Sequence, residues 1–97
     1  MKYVPKPIDT TGITLPEELT VLTELLAEHN HDIWSLGRMK QGWIWGEKRN
    51  DDEKTNPCLV AYDELPDSEK EYDRETAMQA LKAILSLGFK ITNVVNY

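Results

Sequence analysis

Two stretches of this chain carry apolar residues at the spacing of an amphipathic helix, and a long polar segment separates them. In such a helix, apolar side chains recur every three or four positions and line one face. The first stretch has this spacing at Leu15, Leu19, Leu22, Leu26, Ile33 and Leu36. The second has it at Ala77, Leu81, Ile84 and Leu87, with Met78, Ala80 and Leu85 beside them. The pattern predicts two long helices with their apolar faces directed to a common core.

The first helix is predicted to span residues 14–42. Thr14 stands three residues before Glu17, with Pro16 between them, and this arrangement is typical of a capping box at a helix start. Gly42 is the expected terminator, because glycine readily adopts the left-handed conformation that ends many helices.

The second helix is predicted over residues 67–88, beginning near Asp67 and ending at Gly88. Between the helices, residues 43–66 are predicted to form a long loop that is mostly polar. Within it, the short apolar run at 58–62 is either a small strand or a buried extended segment. A loop of this length is unusual in a compact domain and is often functional.

The two ends of the chain are expected to be extended. Residues 1–13 contain Pro5 and Pro7, which fix φ and lack a donor, so they predict an arm that lies across the helices. The β-branched tail at 89–97 is a candidate strand partner for the 58–62 run. The expected fold class is therefore all-α: one domain, an antiparallel two-helix hairpin with a long ordered loop, short accessory elements and room for a minimal β pairing.

Composition and charge narrow the functional classes. A chain of 97 residues, 40% of them hydrophobic, suffices for one core and one domain. No apolar stretch approaches the roughly 20 residues of a membrane span, and the N-terminus shows no apolar signal core. The lone Cys58 cannot form an intramolecular disulfide, so we expect a reducing, cytoplasmic location. The net charge of −6 argues against general nucleic-acid binding.

Most of the 17 acidic residues lie between Glu47 and Glu75, which predicts either a solvated acidic surface or a salt-bridged loop. Asp51 and Asp52 could in principle bind a divalent cation or act as acid and base. The interspersed Lys and Arg favour ion pairing instead, as a network that fixes the loop to the second helix. The predicted members of this structural network are Arg49, Asp51, Asp52, Lys54, Lys70, Asp73 and Arg74.

A candidate binding face lies on the first helix. An advance of about 100° per residue places His31, Trp34 and Arg38 on one side, opposite the apolar stripe. An indole can stack on a planar ring while cations meet phosphate, so these three are the predicted ligand-binding residues. The alternatives are that the loop or a second subunit covers Trp34. On the apolar stripe, His29 is expected to bond a backbone carbonyl at the core edge, and the aromatic segment 43–45 is expected to close the end of the core.

The sequence predicts neither a catalytic site nor a metal site. One Cys and two His are too few for a structural zinc site. Cys58 follows a proline in an apolar run, so burial and a raised thiol pKa are expected rather than nucleophilic reactivity. His31 is the only plausible base. We therefore expect no enzyme activity and no cofactor.

A series of short motifs, in their order and spacing, resembles the RyR domain, the repeat of ryanodine receptor channels that also occurs as isolated copies in bacterial and viral proteins. The resemblance extends from Tyr3 to Ile91. The motifs are Pro-Ile-Asp-Thr at 7–10, Leu-Pro-Glu-Glu-Leu at 15–19, Leu-Ala-Glu at 26–28, His31-Asp32-x-Trp34, Arg38, Gly42-Trp43-x-x-Gly46, Arg49-x-Asp51-Asp52, Lys54, Pro57-Cys58-Leu59-Val60, Tyr62-Asp63-Glu64-Leu65, Glu69-Lys70, Asp73-Arg74 and Leu87-Gly88. Two positions depart from the family pattern: His29 replaces the usual Asn, and Asn56 replaces a frequent His.

The resemblance implies a non-catalytic, all-α module. In the channels, such repeats form tandem pairs related by a pseudo-two-fold axis, and some pairs look able to hold an adenine nucleotide against the tryptophan that matches Trp34. We therefore expect this single copy to self-associate as a two-fold dimer. The expected ligand is an adenine nucleotide or a similar small molecule at His31, Trp34 and Arg38. The alternative is a purely structural protein–protein adaptor that uses its acidic surface.

Overall fold

The computed structural model describes residues 2–94 and confirms the predicted helical hairpin. Helix α1 spans Glu17–Lys40 and helix α2 spans Asp67–Ser86, and the two pack against each other. The connecting loop contains two short strands, β1 at Ile44–Trp45 and β2 at Thr55–Asn56. A 3-10 turn at Tyr62–Glu64 precedes α2. Within the described residues, no helix is both long and apolar enough to cross a membrane.

The start of α1 differs from the predicted capping box. Pro16 occupies the N-cap position with φ −55° and ψ 146°, and no side chain caps the helix. Thr14 lies too early in the chain to cap the helix, which begins only after Pro16. Leu15 precedes the proline, and a residue in that position disfavours helical backbone geometry. The capping-box prediction is therefore wrong. The first turn instead begins with the amide of Leu19, which donates to the carbonyl of Pro16 at 2.9 Å.

Glycine ends α1 as the sequence predicts. Gly42 has φ +90°, and its amide donates to the carbonyl of Met39 at 3.0 Å. The amide of Trp43 donates to the carbonyl of Arg38, also at 3.0 Å. This pair of bonds is the Schellman motif, which satisfies carbonyls that the helix end would leave unpaired. Helix α2 ends in the same way at Gly88, which has φ +92°.

The β pairing forms inside the loop and not with the tail. Strands β1 and β2 are parallel, with Ile44 opposite Thr55 and Trp45 opposite Asn56. Within residues 2–94, the tail forms no strand with the 58–62 run, so the predicted pairing is wrong for those residues. Residues 95–97 of the predicted tail lie outside the described residues. Gly46 permits the observed pairing, because a Cβ atom there would lie 2.6 Å from the Cβ of Thr55.

The core lies between the helices and the second half of the loop. Ala27, Tyr62 and Leu65 form a buried cluster, with Cys58 and Val60 packed against it. The other buried apolar residues are Leu19, Trp43, Leu59, Ala77 and Leu81. Each helix contributes a buried alanine, Ala27 or Ala77, and the small side chain of Ala27 leaves room for the loop to pack closely.

Only the first half of the predicted aliphatic stripe of α1 faces inward, where Leu19 is buried and Leu22 and Leu26 are half-buried. Ile33 and Leu36 are both 55% exposed, whereas Leu19, Ala27 and His31 are buried. The 3-10 turn packs on the side of α1 that carries Ala27, so the predicted orientation is wrong for the second half of the helix. His29 is also exposed, so its predicted place at the core edge is wrong.

Two further segments differ partly from prediction. Of the aromatic segment after α1, Trp43 is buried and closes the core, whereas Ile44 and Trp45 are exposed. The N-terminal arm contacts α2 at its inner end: the hydroxyl of Thr10 donates to Oε1 of Gln79 at 2.8 Å, and the hydroxyl of Ser86 donates to the carbonyl of Asp9 at 2.9 Å. Residues 2–9 are otherwise exposed.

Candidate functional site

A cavity of about 450 Å³ opens between α1, α2 and the loop that joins them. This volume falls in the range of small-molecule sites, about 300–1,000 Å³. Three aromatic rings, two carboxylates and one guanidinium contribute to the wall. The lining residues are His31, Trp34, Arg49, Asn56, Pro57, Cys58, Leu65, Glu69, Tyr72 and Asp73.

Trp34 is half-buried and lines the cavity from α1. Its indole stacks on the imidazole of His31, with ring centroids 5.7 Å apart and an interplanar angle of 27°. The loop does not cover the ring completely, and the ring does not lie in the aliphatic core. The indole thus combines a fixed orientation with access from a concave surface.

His31 is a structural member of the wall. It is 4% exposed, and its Nε2 lies 2.7 Å from the carbonyl oxygen of Val60. Because a carbonyl can only accept, Nε2 carries the hydrogen in this bond. The His31 ring also lies 6.2 Å from the ring of Tyr62. The role predicted for His29, a bond to a backbone carbonyl, therefore belongs to His31, which fastens the loop to α1.

Arg38 supports the tryptophans and does not face the cavity. Its guanidinium carbon lies 5.2 Å from the ring centroid of Trp43 and 6.0 Å from that of Trp34, within the usual range of cation–π contacts. Arg49, from the loop, is the guanidinium in the cavity wall; it lies 5.9 Å from the Trp43 ring and pairs with Asp51 at 2.9 Å. The predicted trio is thus divided: Trp34 and His31 line the cavity, and Arg38 lies outside its lining.

The wall contributed by α2 consists of Glu69, Tyr72 and Asp73. Their spacing of three and four residues places them on one helix face. Asp73 is half-buried, and desolvation raises the pKa of its carboxyl, with the charge of His31 acting in the opposite direction. Among the described residues, no hydrogen bond or ion pair engages the Asp73 carboxylate.

Cys58 lies in the same wall and is half-buried. Desolvation raises the pKa of its thiol, and the negative charges of Glu69 and Asp73 raise it further. The predicted rise in pKa is confirmed, and it keeps the thiol protonated near neutral pH. Although His, Cys, Asp and Glu side chains share this wall, the described part of the chain contains no cluster of three with a geometry suited to a metal ion.

The residues predicted to form one ion-pair network are dispersed. Within residues 2–94, Arg49 and Asp51 are the only two members that pair with each other. Arg74 instead joins the helices. Its guanidinium donates two hydrogen bonds to the carboxylate of Glu24 on α1, at 2.5 and 3.1 Å, and one to Glu71 at 2.8 Å. Lys54 donates to the carbonyl of Gln41 at 2.7 Å.

Backbone and amide hydrogen bonds order the loop in place of that network. The Asn50 side chain accepts from the amides of Asp52 and Glu53, at 3.0 and 3.1 Å, and the backbone of Asn50 exchanges two bonds with Thr55. Most carboxylates of the loop and of α2 are exposed. Of the two predicted alternatives, the solvated acidic surface therefore describes this region better than the salt-bridged loop.

Several cavity residues are not among the ligand-binding residues that the sequence predicts. Tyr72, Glu69, Asn56, Pro57 and Leu65 belong to this group. The helical spacing of Glu69, Tyr72 and Asp73 does not reveal a site, because polar residues at such spacing usually mark a solvated helix face.

Comparison with known protein families matches residues 3–93 to the RyR domain. This match covers nearly the whole chain. The motifs at His31-Asp32-x-Trp34 and at Pro57-Cys58 lie within it, and both contribute residues to the cavity wall. The chain therefore belongs to the RyR domain family.

Proposed function

We propose that this RyR domain is a non-catalytic binding module whose cavity holds a small ligand with a planar ring, such as the adenine of a nucleotide, against Trp34. The observation that supports this most directly is the half-buried indole in a concave wall of suitable volume, about 450 Å³. Indole faces stack well on heteroaromatic rings. His31, the base that the sequence favours for an enzymatic mechanism, is buried and its Nε2 donates to the carbonyl of Val60, which supports a non-catalytic role.

The polar groups suggest how such a ligand would be oriented. Glu69 and Asp73 offer acceptors on the α2 side, and Arg49 offers donors on the loop side. Arg49 is 60% exposed in its side chain, so a phosphate group bound to it would lie at the mouth of the cavity and remain hydrated. The ring would then lie inside, between Trp34 and the α2 wall.

Electrostatics predict that the ring, and not the phosphate, supplies most of the affinity. The wall carries two carboxylates against one guanidinium, that guanidinium is already paired with Asp51, and the whole chain has a net charge of −6. Such a field repels polyanions. We expect adenosine and AMP to bind with affinities within about threefold of each other, and ATP to bind no more tightly, at physiological ionic strength.

Isothermal titration of the purified protein with adenosine, AMP and ATP measures these affinities directly. Tryptophan fluorescence provides a second signal, with Trp45→Phe as a control that removes an exposed indole outside the cavity. If millimolar adenosine, AMP and ATP all leave heat, fluorescence and melting temperature unchanged, the proposal is wrong. Tighter binding with each added phosphate would show that the charge argument is wrong.

We also propose that two copies pair around a two-fold axis with their cavities facing. Family resemblance supports this, and so does Tyr72, which lines the cavity rim and is 77% exposed. Sedimentation velocity is expected to show dimer formation at high micromolar protein, and substitution of Tyr72 by serine to weaken it. A purely monomeric profile under these conditions would contradict the arrangement.

A second candidate function is that of an adaptor which docks a basic partner on its acidic surface. The exposure of most carboxylates in the loop and on α2 favours it. Charge reversal at Asp52 and Glu53, which are exposed and lie outside the cavity lining, distinguishes the two functions, because it would abolish docking of a basic protein and leave ligand binding at Trp34 intact.

A further inference from the structure

The hydrogen-bonding groups of the cavity wall are unevenly occupied. Nε2 of His31 donates to Val60, the guanidinium of Arg49 is paired with Asp51, and Oδ1 of Asn56 accepts from the amide of Cys58 at 2.8 Å. Two carboxylates in the wall form no hydrogen bond or ion pair among the described residues: that of Glu69, which is exposed, and that of Asp73, which is half-buried. The wall therefore has a surplus of acceptors.

Of these two carboxylates, Asp73 is the one withdrawn from water. It lies on α2 next to Glu69 and Tyr72, close enough to His31 on α1 for their charges to interact. A half-buried carboxylate without a partner destabilises the protein that contains it. Such a group is unfavourable for the empty protein and becomes favourable when a ligand supplies an N–H donor.

We infer that Asp73 is the specificity-determining residue of this cavity and selects ring ligands that present an N–H donor, an exocyclic amino group above all. This inference rests on the proposed function, because it names the chemical feature by which the ligand at Trp34 is chosen. Stacking on Trp34 accepts any flat ring, since every base has a π face. A buried acceptor discriminates more strongly, because a ligand without the donor leaves the carboxylate desolvated and unpaired.

The test compares adenosine with purine riboside, which has the same ring and sugar without the amino group. Wild-type protein is expected to bind adenosine at least about tenfold more tightly. In Asp73→Ala, the ratio of the two affinities should fall to about one. In Asp73→Asn, which keeps a neutral acceptor, the ratio should be intermediate. Glu75→Gln, a matched acidic residue on α2 outside the cavity lining, should leave the ratio unchanged.

A purely structural role for Asp73 predicts a different outcome for the ratio of the two affinities. Loss of a structural residue would weaken the binding of both nucleosides equally and leave the ratio of their affinities unaltered. That result would overturn the inference. Equal binding of both nucleosides to the wild type would overturn it as well, while leaving the proposed function intact. Absence of binding by either nucleoside would instead contradict the proposed function itself.

The ligand-free protein gives an independent readout. Because burial raises the pKa of Asp73 in the folded state, ionisation of this carboxyl lowers the free energy of unfolding. This loss of stability is complete at pH values above the folded-state pKa and absent below the unfolded-state pKa of about 3.9. The other charged or titratable groups in the cavity wall are His31 from α1, Arg49 and Cys58 from the loop, and Glu69 and Tyr72 on α2 itself. Asp73→Asn should therefore raise the melting temperature by a few degrees at pH 7, and this gain should disappear near pH 3. A lower melting temperature at pH 7 would show that the carboxylate is structural.

Discussion

Replacing Trp34 by alanine is expected to weaken the binding of adenosine and AMP by roughly 5- to 150-fold and to leave the helical hairpin folded. Base–aromatic stacking contributes about 1–3 kcal/mol per base, and this range corresponds to that loss of affinity. The indole is half-buried in the cavity wall, so the substitution removes the stacking surface without opening the buried cluster around Ala27. Isothermal titration measures the affinity, and circular dichroism verifies the fold.

Neighbouring contacts limit the side effects of this substitution. Arg38 would lose its contact with Trp34 at 6.0 Å and keep the closer one with Trp43 at 5.2 Å. His31 would lose a stacked ring and keep its bond to Val60. We therefore expect a decrease of about 1 kcal/mol in stability, as for a partly buried contact.

The control for Trp34→Ala is Trp45→Ala. Trp45 is the same residue type, is 54% exposed and lies outside the cavity lining, so its loss should leave ligand affinity unchanged. If Trp34→Ala bound adenosine as tightly as the wild type, the indole could not be the stacking platform. If Trp45→Ala weakened binding instead, the ligand would lie on the β1 surface.

The helices could be predicted from the sequence because the signals for them are local. Apolar spacing within α1 and α2 reflects the helical repeat, and Gly42 and Gly88 supply the positive φ that a Schellman motif requires. The capping box failed for an equally local reason, because Pro16 occupies the N-cap position and contributes no side-chain acceptor.

The orientation of α1 could not be predicted from spacing alone. A helical wheel separates an aliphatic stripe from the side of His31 and Trp34, but it does not say which side meets the loop. In the structure, Ala27 contacts Tyr62 and Leu65, and this small residue admits a turn that larger side chains would exclude. As a result, His31 is buried and Ile33 is exposed.

The candidate site could be predicted only in part. Trp34 was identified because clustered aromatic and cationic residues are uncommon at helical spacing. The α2 wall was not identified, because Tyr72 and Asp73 form a cavity only when the loop brings Arg49 and Pro57 opposite them. That arrangement depends on the β1–β2 pairing and on the backbone hydrogen bonds within the loop. No local sequence pattern shows which residues form these contacts.

Tyr62 connects the parts of the fold that depend on one another. It is 4% exposed and packs in one cluster with Ala27 of α1 and Leu65 of the loop. Its ring lies 6.2 Å from that of His31, and the ammonium of Lys70 on α2 lies 5.7 Å from its centroid. Its hydroxyl is buried without a hydrogen bond of normal geometry, close to Glu24 and the Arg74 guanidinium, and desolvation raises the pKa of this phenol.

Substitution of Tyr62 by alanine is therefore expected to lower the free energy of unfolding by about 3–5 kcal/mol, the usual cost of removing a buried aromatic ring. For a domain of this size, the melting temperature should fall by roughly 15–30 °C in differential scanning calorimetry. Tyr62→Phe keeps the ring and removes an unpaired hydroxyl, so its stability should stay within about 1 kcal/mol of the wild type. Tyr72→Ala removes the same side chain from an exposed site and should change stability by no more than about 0.5 kcal/mol. Equal losses from Tyr62→Ala and Tyr72→Ala would contradict the placement of the 3-10 turn in the core.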